Sequence, residues 1–122
     1  MILVDTPVLI DYLRGTQNAA VAAFDKILEK GLPYGINKLI YLEILQGART
    51  KEEFNQLREY FETIPFYGLN LGKESHERAA QMNMACRRSG ITIRSTIDLL
   101  IAEIAIENDL FLLISDSYFK SG

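Results

Sequence analysis

A chain of 122 residues fits one domain, 1–122, and leaves no room for two. Hydrophobic residues at 48% and charged residues at 24% belong to a chain with a packed core and exclude disorder. A net charge of −3 argues against a sequence-independent grip on nucleic acid through a basic face, although a bound cation can invert the sign of an acidic site.

Ile2-Leu3-Val4 is a short apolar run of β type, stopped by Asp5-Thr6-Pro7. No basic segment precedes it, so no secretory signal is expected. Pro7 suits the first turn of a helix that Asp5 or Thr6 can cap. That helix carries Val8, Leu9, Tyr12 and Leu13 and ends at Gly15. A second helix, with Val21, Phe24, Ile27 and Leu28 on one face, stops at Gly31. Pro33 to Ile36 is a weak second strand. Asn37 caps a third helix bearing Leu39, Ile40, Glu43, Ile44 and Ala48. Thr50-Lys51-Glu52-Glu53 is a capping-box pattern opening a helix with Phe54, Leu57 and Phe61.

Phe66 to Leu71 reads as a third strand. A long helix spans about Lys73 to Arg88 and stops at Gly90. It holds Cys86, the lone cysteine, which excludes an internal disulfide and fits a reducing cytosol. Ser95 caps the next helix, with Ile97, Leu100, Ile101, Ile104 and Ala105 as its apolar stripe. Leu110 to Ile114 is an unbroken apolar strand of the type buried on both faces. The longest apolar runs are far too short to span a bilayer. The expected fold is α/β: a three-layer sandwich with a central, mainly parallel sheet flanked by helices. The expected location is the cytoplasm, with no membrane contact.

The chemistry lies in the carboxylates. Asp5 follows the first strand at once, and Asp116 follows the last with only Ser115 between. In open parallel sheets, ligands bind outside the carboxyl ends of the strands. Each acid alone would also serve as a helix or turn cap; both together at one edge point to a site. Glu43 shares a helix face with Leu39 and Ile40 and has no neighbouring Lys or Arg. It is either an ordinary solvated group or a carboxylate with a distant partner. Asp98 completes a Ser-x-x-Asp cap pattern and complements the helix dipole, a role compatible with being a rigidly held ligand.

If the four acids converge, their mutual repulsion, about 4 kcal/mol per pair at 4 Å and an effective dielectric of 20, demands protons or a divalent cation. All-oxygen donors favour Mg²⁺ or Mn²⁺ over zinc, and such sites hydrolyse or transfer phosphates. The single histidine, His76, sits mid-helix and leaves no acid–base pair for metal-free chemistry. There is no P-loop and no nucleophile elbow.

Four segments then resemble one family in order. They are Ile2-Leu3-Val4-Asp5-Thr6 with Leu9 to Gly15; Ile40 to Arg49 around Glu43; Gly90 to Asp98 with Leu100-Ile101-Ala102; and Leu112 to Phe119 around Asp116. Together they resemble the PIN-domain ribonucleases, specifically VapC-type toxins of type II toxin–antitoxin pairs, from end to end. The resemblance implies a metal-dependent endoribonuclease with Asp5, Glu43, Asp98 and Asp116 as ligands of Mg²⁺ or Mn²⁺. It also implies Thr6 and Thr96 as hydroxyls that orient carboxylates or water, a homodimer, and a cognate antitoxin whose C-terminal segment covers the acidic cleft. The chain departs from the family pattern at Pro7, where Ser or Asn is frequent, and at Tyr118, where a further acid is common.

In that reading a water attacks an RNA phosphodiester in line. Arg14, Arg87, Arg88 and Arg94 are candidates to hold the RNA backbone, or are solvated surface charges. Two other readings stay open: a non-catalytic binding module that kept the fold, and a Mg²⁺-dependent phosphoryl-transfer or receiver-like domain. The second lacks the paired acids and the lysine that receivers need.

Overall fold

The computed structural model describes residues 1–93, 95–114 and, for the backbone alone, 119–121. Its centre is strand β1 (Ile2–Val4). This strand pairs in parallel with β2 (Tyr34–Gly35) on one side and β4 (Phe111–Leu113) on the other. The register matches Leu3 with Gly35 and with Leu112. Successive side chains of a strand point to opposite faces, and both Leu3 and Val4 are fully buried, so both faces of the sheet are covered.

Among the described residues, six helices supply the cover. α1 (Thr6–Arg14) packs on α2 (Ala19–Glu29) and on α3 (Lys38–Gln46), and α3 packs on α4 (Lys51–Tyr60). α5 (Lys73–Arg88) packs on α6 (Thr96–Glu107). The chain moves outward from β1 to β2 through α1 and α2. It returns past β1 to β4 through α5 and α6. Right-handed crossovers send helices of opposite travel to opposite faces. The result is the expected three-layer α/β arrangement. Phe24 of α2 anchors one layer, with edge-to-face contacts to Tyr12 and Tyr34 at 5.0 and 5.1 Å between ring centres. Ile101 and Ile104 of α6 anchor the other.

The helix starts follow the cap residues. The side chains of Asn18, Asn37, Thr50 and Ser95 each accept a backbone N–H three residues on. Gly15 ends α1 at φ 76°, a left-handed conformation that a side chain would strain. Among the described residues no helix is long and apolar enough to cross a membrane.

Three strand expectations need correction. The stretch from Phe66 to Leu71 forms only one parallel bridge, Ile36 to Phe66. Beyond it the backbone is claimed by side chains at the end of α6. Asn108 Nδ2 donates to Gly68 O at 2.9 Å, and the Asn70 N–H donates to Glu107 Oε1 at 2.6 Å. The last apolar strand is not buried on both faces. Phe111, which pairs with Ile2 at the start of the sheet, is 78% exposed, because α6 ends four residues earlier. A separate antiparallel pair also forms, β3 (Ile91–Ile93) with β5 (Phe119–Ser121), which the sequence reading did not include.

Candidate active site

Asp5 sits where β1 becomes α1. Its backbone N–H donates to Leu113 O at 3.1 Å, which fixes it at the carboxyl edge between β1 and β4. It occupies the N-cap position, yet its side chain makes no cap bond. The residue is only 1% exposed. Capping therefore does not explain this carboxylate, and a buried carboxylate is costly unless hydrogen bonds, an ion pair or a cation stabilise it.

Thr6 opens α1 and is buried. Its Oγ1 donates to Glu43 Oε1 at 3.1 Å, joining positions 37 residues apart. This contact decides how Glu43 behaves. The carboxylate is half-buried between α1 and α3, oriented by a hydroxyl, and is not an ordinary solvated group. The packing of α1 on α3 makes the contact, because Ile40 and Ile44 bury the face that Glu43 borders.

Asp98 lies in the first turn of α6 and is 6% exposed. Its backbone N–H, 3.3 Å from Ser95 Oγ, completes the cap, which leaves the carboxylate itself inside the protein. Asp116 and Arg94 lie outside the described residues, as does Tyr118. Among the described residues no group of three or more His, Cys, Asp and Glu side chains is close enough together to hold a metal ion. The donors that are described, two buried carboxylates and a hydroxyl-bound Glu43, are all oxygen. That set fits a hard divalent cation and not a softer one.

A cleft of about 300 Å³ opens beside Glu43, walled by Ile10, Leu13, Arg14, Ile44, Arg49 and Leu57 among others. Arg14 thus stands beside the acid. Arg49 stands there too, and the sequence reading did not name it as a site residue. Its signal was its place two residues after Gly47, which caps the end of α3. Among the described residues neither arginine is in an ion pair. Thr96 is exposed and lines a different groove, between α5 and α6, with His76 and Arg87. Arg88 is exposed at the end of α5.

A pair of shifted carboxyls lies elsewhere. Glu103 of α6 is 1% exposed, with Oε2 3.2 Å from Arg78 Nε of α5. Burial, and then its hydrogen bond with Glu107, hold the Glu103 carboxyl above the usual range despite Arg78. Burial alone would raise Glu107 as well. The Asn70 N–H, Glu103 and Ser75 outweigh it and hold Glu107 low. The Glu103–Arg78 ion pair joins α6 to α5.

Comparisons with known proteins give the family and the fold. The PIN domain family model matches residues 2–121. A VapC ribonuclease, Mb1587 of Mycobacterium bovis (strain ATCC BAA-935 / AF2122/97), is 32% identical over 121 residues, covering 98% of this chain and 89% of its own. Ribonuclease VapC11 of Mycobacterium tuberculosis (strain ATCC 25618 / H37Rv) matches at the same 32% identity and the same coverage. Among solved structures, VapBC2 from Rickettsia felis, bound to a DNA fragment from its promoter, superposes with a TM-score of 0.67 at 17% identity, over 92% of this chain and 85% of that one. FitAcB from Neisseria gonorrhoeae superposes at 0.60 and 24% identity, with the same coverage of both chains. This chain belongs to the PIN domain family.

Proposed function

We propose that this chain is a Mg²⁺- or Mn²⁺-dependent endoribonuclease and the toxin of a toxin–antitoxin pair. The observation that carries the proposal is the Thr6–Glu43 hydrogen bond beside a buried Asp5 that caps nothing. A second acid tied to the residue after the first, at the carboxyl edge of the sheet, supports a cation site for phosphodiester hydrolysis. The relatives' names support RNA as the substrate, since those matched over nearly the whole chain are called ribonucleases.

Asp5, Glu43, Asp98 and Asp116 would hold the cation, which would act as a Lewis acid and lower the pKa of a water. The side chains have separate work. Thr6 keeps one Glu43 oxygen engaged, so the carboxylate presents the other in a fixed direction. Arg14 and Arg49, which line the same cleft as Glu43, hold phosphates on either side of the scissile one. No described side chain serves as a general base. His76 is exposed on α5, its ring 3.3 Å from Gly72 O, and it lines the α5–α6 groove instead.

An antitoxin partner, a homodimer and a cytoplasmic location complete the proposal. The antitoxin finds support in the solved relatives, which carry the names of the VapBC2 and FitAcB assemblies. The test is cleavage of RNA with Mg²⁺ or Mn²⁺ against EDTA, repeated with Asp5→Asn. Cleavage should need the cation and fall by more than about a hundredfold in the variant. Equal cleavage by Asp5→Asn would remove the site. No cleavage and no cation affinity would leave a binding module with this fold.

A further inference from the structure

A second feature of the carboxyl edge lies one strand over from Asp5. β1 and β2 pair at Leu3 and Gly35, and two residues further on each strand stand Asp5 and Asn37. Neighbouring strands are about 4.8 Å apart, so Asn37 flanks the acidic site. Asn37 is 1% exposed. Its Oδ1 accepts the Ile40 N–H at 2.7 Å, which fixes the amide's orientation. Its Nδ2 is left buried with no hydrogen-bond partner among the described residues. A buried donor without an acceptor is costly, and a bound acceptor relieves that cost.

The surroundings say what that acceptor is. Asn37 lines a groove of about 390 Å³ with Lys38, Leu39, Phe66, Tyr67 and Leu69. The groove opens at the N-terminus of α3. Helix geometry leaves the Lys38 and Leu39 N–H groups without intrahelical carbonyls, and neither makes a backbone bond elsewhere. The helix dipole adds partial positive charge there, and Lys38 adds a full one. No carboxylate lines this groove, in contrast to the cleft at Glu43. Lys38 is the one charged side chain among its lining residues. Phe66, 40% exposed and held on edge against Tyr41, offers a flat apolar face at the same groove.

We propose that this groove is a nucleotide subsite, in which Asn37 Nδ2, the first N–H groups of α3 and Lys38 bind an RNA phosphate while Phe66 stacks on its base. The subsite rests on the ribonuclease reading and adds to it the place where a nucleotide flanking the scissile bond is held. Donors that converge without any acid select an anion, and an aromatic face beside them selects a nucleotide over free phosphate.

The experiment follows the Asn37 side-chain NH₂ and the Lys38 and Leu39 amides by ¹H–¹⁵N NMR, on the full chain in EDTA, where no cleavage occurs. Inorganic phosphate and a short oligouridylate are titrated separately. Both should shift these signals, with the oligonucleotide half-saturating at a concentration at least about tenfold lower. Phe66→Leu should remove that advantage and leave phosphate binding intact. Asn37→Asp keeps an acceptor for Ile40 but replaces the donor with a negative charge, and should abolish both titrations. Lys38→Gln, at an exposed position that does not affect folding, should weaken both severalfold.

Signals that do not move, or an Asn37→Asp protein that binds as before, would overturn the subsite. Equal affinities for phosphate and oligonucleotide would overturn its assignment to RNA. Because the readout needs neither cation nor cleavage, it separates the two readings. A protein that cleaves RNA without these shifts loses only the subsite, and one that shows the shifts without cleaving keeps it.

Discussion

Thr6 carries more of the site than its side chain suggests. Thr6→Val keeps the shape and removes the hydroxyl that holds Glu43. Cleavage should fall by roughly ten- to a hundredfold, as for partners that orient metal-binding carboxylates, while the melting temperature moves little because Glu43 is half-exposed and water replaces the bond. Single-turnover cleavage beside a thermal melt checks this. Gly35 is a second sensitive residue. A Cβ there would lie 2.7 Å from Pro65 O and 2.5 Å from the Tyr67 ring. Gly35→Ala should therefore push the Pro65–Tyr67 segment off β2 and cost about 1–3 kcal/mol, read by denaturant unfolding. At this scale the sequence was only partly legible. Asp5 could be read because a strand ends beside it. Glu43 was ambiguous because its partner is a hydroxyl 37 residues away, and a search for a nearby Lys or Arg finds nothing. The unpaired Asn37 amide was invisible, since a cap residue reads the same whether or not its second polar atom is satisfied.

Elements fared better, because caps act locally. Asn37, Thr50 and Ser95 mark helix starts that the structure reproduces. Strands fared worse, because pairing is not local. The β3–β5 pair joins segments almost thirty residues apart, with three residues in each strand. The Phe66–Leu71 strand failed because Glu107 and Asn108 take its backbone partners. Glu103 was hidden in an apolar stripe, for its Arg78 partner belongs to α5. The Glu103–Glu107 pair makes stability depend on pH with a definite sign. Glu103 is raised, so its contribution is complete below its unfolded pKa and is lost as pH rises through its folded one. Glu107 is lowered, so its contribution is present above its unfolded pKa and is lost as pH falls through its folded one. Stability from the pair should peak between the two titrations. Glu103→Gln cannot ionise and should flatten the decline on the alkaline side, seen in melting temperature against pH. An unchanged decline would assign it to other groups.

For the whole molecule, a central strand whose Leu3 and Val4 are fully buried holds three things at one edge of the sheet: Asp5, the start of α3 and the end of β4. Family membership rests on that frame, and the receiver-like alternative fails against it, since the PIN model matches nearly the whole chain. The chain's charge of −3 also bears on RNA binding. If Lys38, Arg14 and Arg49 are the main phosphate contacts, log affinity for single-stranded RNA against log salt in EDTA should have a slope near −2, from about −0.7 per phosphate. A much steeper slope would mean that a larger basic surface takes part. The central claim is that the separate acids share one cation. It is tested most directly by Mn²⁺ titration, followed by electron paramagnetic resonance, of the wild type and of Asp5→Asn, Glu43→Gln and Asp98→Asn. Each variant should bind Mn²⁺ at least about tenfold more weakly while keeping its fold. Unchanged affinity in Asp98→Asn or Glu43→Gln would contradict a shared site.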